Sequence, residues 1–333
     1  MASLKPDADQ IKIVLDYLAK QDWIRRTERS WWPQFVFHYT DIRNAVQILR
    51  EGYLYSRKHL EDSDKLVVSS GSPSVLAGTD IAIKDCVRLY FRPKTPTQYY
   101  AEGICSQVTL SRSRFPEAHC PVPVFFLFDS ATVLARSDCR FSDGNLASSQ
   151  AQVLSTAKDL DQLPWRKIYH TGWIDYSQPG NSDIVFRRHA EIVVPRRLDL
   201  GALRYIYCRS DAEREALLHL LPPDLRNRYQ DKVVASARSG LFYRRQTFVE
   251  TARLSSGAAY FHFSPETKSP GPFRLRVEVE IASARYSHDI ENFTLGESYT
   301  LRVSIPAAAY TIRLFLDDHL AYANTYEEME IPF

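Results

Sequence analysis

Glycine is scarce in this chain: 12 in 333 residues, with no two at the spacing of a GxGxxG or GxxxxGK motif. Rossmann and P-loop sites need glycines where the backbone approaches phosphate, so both are excluded. The GxSxG elbow, the HExxH helix and the EF-hand loop are missing as well. The five cysteines (Cys86, Cys105, Cys120, Cys139 and Cys208) are odd in number, far apart and without a CxxC pair. That argues against a disulfide framework and a structural zinc site, and leaves buried free thiols as the expectation. No stretch approaches the roughly 20 apolar residues of a membrane span. Met1 to Pro6 lack the apolar core of a secretory signal, so no membrane association and a cytoplasmic location are expected. An excess of one charge is also missing. With 42 Lys and Arg against 40 Asp and Glu the net charge is +2, so any grip on nucleic acid has to come from local patches. No metal is expected.

What is present is ordinary for a globular protein, 44% hydrophobic and 25% charged, at a length that suggests about two domains. Ile11, Val14, Leu15 and Leu18 repeat at helical spacing and predict a helix over 9–20. Phe35 to Tyr39 reads as a short buried strand. Thr40 is then a plausible N-cap for a helix carrying Ile42, Ala45, Val46 and Leu49, and Gly52 its C-terminal stop. Residues 61–86, rich in Ser and Asp, read as a loop or lid. Val87–Phe91 and Val122–Phe128 read as strands, and the turn Phe141–Asn145 as the lead into a helix near 147–154. Residues 183–194 read as a further strand, stopped by Pro195, and Leu203–Tyr207 as another. Ser210 with Glu213 forms a capping-box pattern before a helix ending at Pro222-Pro223.

Beyond about residue 240 the period changes to two: Phe273, Leu275, Val277, Val279 and Ile281 alternate with charged residues. Similar patterns recur over 299–305 and 310–316. Short alternating strands separated by turns predict a small β-sandwich. The boundary falls within 225–245, giving units 1–235 and 236–333 of an α+β protein.

Three residues could carry chemistry: His38 near a strand end, Tyr90 in a strand and Glu191 in a later strand. From pattern alone His38 and Tyr90 read equally as packed core residues. Glu191 is flanked by Ala190 and Ile192 and by alternation shares a face with Val193, which places it on a solvent face or in a cleft. Basic residues gather beside these positions: Arg88, Arg92 and Lys94 near Tyr90, and Arg187, Arg188, Arg196 and Arg197 near Glu191.

His38-Tyr39-Thr40 followed by an apolar helix resembles the NAD⁺-binding start of the ADP-ribosyltransferase superfamily. Val87 to Pro96 resembles the YFxPxxP segment of the DarT family, Phe141-Ser142-Asp143 its F-S/T-D turn, and Arg188 to Val194 its xxAExLV strand. The four segments keep family order over residues 35–208. The resemblance implies a split β-sheet core with helices and a His-Tyr-Glu site that transfers ADP-ribose from NAD⁺ to a nucleobase. It implies His38, Tyr39 and Thr40 against NAD⁺, with His38 on the nicotinamide-side ribose, Tyr90 or Phe91 stacked on nicotinamide, and Glu191 as the catalytic carboxylate in one pocket with His38. Arg92, Lys94, Arg187 and Arg188 would meet single-stranded DNA or RNA. A toxin with an antitoxin partner, or a phage-defence role, is implied too. Thymine-modifying members carry an arginine-rich helix before the YF strand. Here 65–86 holds Lys65 and Lys84 but no Arg, which leaves the acceptor base open, with an RNA base or a protein side chain as alternatives.

Overall fold

A computed structural model describes residues 3–69, 77–282, 284–296 and 299–328. The strands in chain order are β1 (Phe35–Asp41), β2 (Tyr53–Tyr55), β3 (Cys86–Tyr90), β4 (Pro123–Asp129), β5 (Arg140–Ser142), β6 (Val153–Leu154), β7 (Glu191–Pro195), β8 (Arg197–Asp199), β9 (Leu203–Cys208) and β10 (Val233–Ala235). The C-terminal part adds β11 (Val249–Ser255), β12 (Gly257–Phe263), β13 (Phe273–Ile281), β14 (Ala284–Phe293), β15 (Thr300–Ile305), β16 (Ala309–Leu316) and β17 (His319–Glu327). Five helices position the site: α1 (Ala8–Lys20), α2 (Ile42–Glu51), α3 (Pro96–Ala101), α4 (Ile184–Arg187) and α5 (Asp211–Leu220).

Eight strands form one mixed sheet in the order β10-β9-β4-β1-β3-β7-β5-β6, with β9 and β10 its parallel pair. Inside it, β4 is apolar on both faces because both are covered, so Val124 to Phe128 are all buried. Next to it, β1 and β4 pair along seven positions, while β1 and β3 meet through one, Phe37 opposite Tyr90. The sheet is split there.

The predicted α1 is present and buries Ile11, Leu15 and Leu18. Gly52 ends α2 in the left-handed region, φ 76°. The N-cap of α2, however, is Asp41 and not Thr40: β1 runs two residues further than the pattern suggested, and Asp41 Oδ1 accepts from Arg43 N. Two further expectations are corrected. Residues 184–187 are the helical turn α4 and not strand, since Arg187 N and Arg188 N close onto Asp183 O and Ile184 O. Residues 145–152 are turns, because Asp143 Oδ1 takes Gln152 N and folds the segment back into the β5–β6 ladder. Of the predicted loop at 61–86, residues 70–76 lie outside the described residues, while Ile81–Lys84 are helical. At α5, Ser210 Oγ accepts from Glu213 N as expected, but the Glu213 carboxylate turns to the Arg209 guanidinium, so the capping box is half made.

The C-terminal strands form two antiparallel sheets, β11-β12-β15 and β14-β13-β16-β17. Their inner faces meet through Phe261 on Tyr322 and Phe263 on Phe293. The sandwich is joined to the large sheet by one continuous buried apolar cluster. Tyr322 Oη donates to Glu215 Oε2 at 2.7 Å, Ser210 Oγ to Val249 O at 2.6 Å, and Ile104 pairs with Thr247.

Candidate active site

Glu191 opens β7 opposite Tyr90, and its residue is 0% exposed. Three donors hold its carboxylate. Arg88 Nη2 donates to Oε1 at 2.8 Å, Arg88 Nε to Oε2 at 2.5 Å, and Leu146 N to Oε1 at 3.2 Å. A carboxylate has about four acceptor positions, so about one remains. The F-S-D turn exists to build this cradle. Ser142 Oγ accepts Glu191 N and donates to Gly144 O. A Cβ on Gly144 would stand 2.3 Å from the Phe186 ring, so a larger residue would force that ring to shift. Burial disfavours the Arg88 cation, but the Glu191 charge and the hydrogen bond to Glu191 outweigh it, and the guanidinium lies above its ordinary value. Burial, and then Glu191, push the Tyr90 hydroxyl up to about 12, so it stays a protonated donor.

His38 is placed differently. Its Nδ1 lies 3.1 Å from Arg88 O, and a carbonyl can only accept, so Nδ1 carries the proton. Burial holds the imidazole below 6.5, partly offset by that hydrogen bond. The ring is therefore neutral near pH 7 and Nε2 is an acceptor.

The expectation of one pocket shared by His38 and Glu191 is corrected by the register. Phe37 faces Tyr90 and Tyr90 faces Glu191, so Arg88, Tyr90 and Glu191 share one face of the sheet while His38, one residue along, belongs to the other. Two cavities result. One, of about 200 Å³, is lined by His38, Thr40, Asn44, Arg57, Lys65 and Arg88. The other, of about 440 Å³, is lined by residues that include Tyr90, Arg188, Tyr243 and again Arg88. Arg88 therefore connects His38, through its carbonyl, with Glu191, through its guanidinium.

The remaining candidates divide. Thr40 lines the first cavity and its Oγ1 accepts from Asn44 Nδ2. Tyr39 also borders it, but its ring packs on Phe125, and burial together with Cys120 raises its hydroxyl. Phe91 is 2% exposed against Phe141 and Trp165, which removes it from nicotinamide stacking. Arg92, also 2% exposed, donates to Pro93 O, Ile168 O and His170 O and lies over the Trp32 ring. It is a core cation, out of reach of a phosphate. Arg187 is tied to Asp143 and Asp183. Lys94 lies over the Tyr243 ring, and Arg188 lines the second cavity. Missed from the sequence were Asn44 and Arg57. Arg88 stood out only as a basic residue beside Tyr90, and its pairing with Glu191 was not foreseen. Asn44 stands one helical turn from Thr40 and pins Val68 by both its N–H and its carbonyl. Arg57 is held by Glu61 and Ser69. Among the described residues no three His, Cys, Asp or Glu side chains gather as a metal site, and no helix is long and apolar enough to cross a membrane.

A buried glutamate opens β7, and a neutral histidine sits on β1, two strands away across the split. The family model described as "DarT: ssDNA thymidine ADP-ribosyltransferase" matches residues 37–238. The chain belongs to the DarT family and is an NAD⁺-dependent ADP-ribosyltransferase of single-stranded DNA. It is similar to Thermus sp. 2.9 DarT solved with ADP-ribosylated single-stranded DNA, at 19% identity and TM-score 0.50, over 63% of this chain and 97% of the other. The same protein solved with NAD⁺ aligns at 18% identity and TM-score 0.47, over 63% and 98%. No curated protein sequence matches the chain.

Proposed function

We propose that Glu191 is the carboxylate on which ADP-ribose transfer turns, and that the cavity at His38, Thr40 and Asn44 holds part of NAD⁺. The observation that carries this is the fully buried Glu191, fixed by Arg88 and Leu146 N with about one acceptor position left. Loss of nicotinamide breaks the ribosyl C1′–N bond and leaves positive charge on the sugar, as in other glycosyl transfers. A fixed carboxylate on the ribose 2′-hydroxyl stabilises that charge with little reorganisation. His38 Nε2 offers an acceptor to a hydroxyl of NAD⁺ in the cavity it lines with Thr40 and Asn44. A base nitrogen then bonds to C1′, and its proton passes to Glu191. Because Glu191 is covered, the Arg88 side chain swings aside when substrate enters.

The acceptor is an unpaired base, which costs little to present from single-stranded DNA. Thymidine, which the family's description names, is the first base to test. The chain acts in the cytoplasm as a growth-arresting toxin restrained by an antitoxin, and divides into a transferase unit, 1–235, and a sandwich unit, 236–333. The end of β10 at Ala235 and the start of β11 at Val249 support that division. The deciding experiment incubates the full chain and NAD⁺ with single-stranded DNA, RNA or a protein lysate and analyses nucleosides and peptides by mass spectrometry. An ADP-ribosylated deoxynucleoside that disappears in Glu191→Gln is expected. Label found only in RNA or only in protein overturns the DNA assignment.

A further inference from the structure

The second cavity has no occupant in the reading above, and its lining has a definite chemistry. Tyr90, Tyr99 and Tyr243 offer aromatic rings, Arg114 and Arg188 offer positive charge, and no Asp or Glu is among its lining residues. At about 440 Å³ it falls within the roughly 300–1,000 Å³ of small-molecule sites. Aromatic faces flanked by guanidinium groups suit an unpaired base with its neighbouring phosphates. Arg188 Nη2 is engaged by Gly172 O, whereas its buried Nε has no hydrogen-bond partner among the described residues.

Tyr243 lies past residue 238, where the family match ends. Its position is built in. The buried Glu102 takes Tyr243 N on Oε2 at 2.9 Å and Arg244 N on Oε1 at 2.7 Å. Tyr243 Oη donates to Lys94 O at 2.9 Å, and its ring stands edge-on to Tyr99 at 5.2 Å. Arg244, at φ 57°, turns the chain away toward β11. The segment that leads into the sandwich thus supplies a wall of a cavity whose floor, Arg88 and Tyr90, shares a sheet face with Glu191.

We propose that this cavity receives the acceptor base of single-stranded DNA, and that Tyr243, contributed from beyond the family core, is a stacking residue that sets acceptor binding. The inference rests on the reading of Glu191 as the transfer carboxylate. The test uses the full chain, a fluorescently labelled single-stranded DNA oligonucleotide of mixed sequence, and the variants Tyr243→Ala, Tyr243→Phe and Arg114→Ala. Loss of one stacked base corresponds to about a 5- to 150-fold weaker oligonucleotide affinity for Tyr243→Ala. Its KM for the oligonucleotide should rise while KM for NAD⁺ stays. Tyr243→Phe, which keeps the ring, should restore affinity to within about threefold of the original. Arg114→Ala should weaken binding and reduce the slope of log affinity against log salt by about one, a result that stands even where Tyr243→Ala unfolds. Oligonucleotide affinity unaltered in both Tyr243→Ala and Arg114→Ala overturns the proposal, as does an equal loss for NAD⁺ and DNA. Failure of the Glu191 reading looks different: Glu191→Gln would still transfer, whatever Tyr243 does.

Discussion

Replacing Glu191 by glutamine keeps the shape of the side chain and removes its charge. Two consequences can be sized. Losing a preorganised group that stabilises transition-state charge costs about 10²- to 10³-fold in rate. The fold loses the counter-charge of Arg88. Removing one member of a fully buried pair costs about 3–5 kcal/mol. Here the Arg88 side chain is 24% exposed, and solvent plus the remaining amide oxygen reduce this to about 1–2 kcal/mol. At roughly 2–4 °C per kcal/mol for a chain of this order of size, the melting point should fall by about 2–8 °C. The assay follows nicotinamide release and oligonucleotide labelling, with melting recorded on the same sample. A folded variant that transfers at more than a tenth of the original rate refutes the catalytic assignment. A variant that melts unchanged refutes the Arg88–Glu191 pair.

Arg88→Ala should uncover the carboxylate but strand it with Leu146 N as its remaining partner; a rate loss of at least about tenfold with a lower melting point is expected, and a faster enzyme would show that Arg88 only obstructs. For His38 the sign is set by a folded-state pKa held below 6.5 by burial. Its contribution to stability and to NAD⁺ affinity is complete above 6.5 and is lost as pH falls below it and through the folded value. Calorimetry across pH checks this, and an affinity that rises toward acid would make the imidazolium the binding form. Gly144→Ala drives a Cβ into the Phe186 ring and should cost about 1–3 kcal/mol, with a rate loss exceeding that of a distant variant of equal stability. Arg92→Met should lower the melting point while leaving the salt slope of DNA binding intact; a slope reduced by about one would return Arg92 to the nucleic-acid surface.

Much of the fold was legible because periodicity reports burial directly. The alternation of β13 and β16, the helical spacing in α1 and the glycine after α2 each reflect one local cause. What was not legible depends on long-range partners. Val185 and Phe186 carry strand-forming side chains, yet Asp183 and the close packing of Phe186 on Gly144 wind them into α4. Arg92 reads as a surface cation from its Pro and Lys neighbours, but the distant carbonyls of Ile168 and His170 draw it inside. The candidate site was half visible: His38, Tyr90 and Glu191 could be picked out as candidates, whereas their distribution over two sheet faces follows from the single Phe37–Tyr90 register pair, which no local pattern encodes.

Truncation before residue 240 is the obvious way to ask what the sandwich contributes, and the packing argues that it cannot give a clean answer. α5 presents Ala212, Ala216 and Leu217 to a core continuous with the sandwich, and Phe242 packs on Phe125 of β4, an inner strand of the large sheet. Removing those partners exposes apolar surface at roughly 25 cal/mol per Å² and leaves Glu102 without the two backbone N–H groups it binds. Loss of activity on truncation would then report unfolding as readily as a missing substrate contact. Point changes at Tyr243 separate the two, because the ring can be removed or kept while Glu102 still holds the backbone. If the sandwich served only as a brace, Tyr243→Ala would melt lower and bind DNA as before, and that pairing of results would return the C-terminal unit to a structural role.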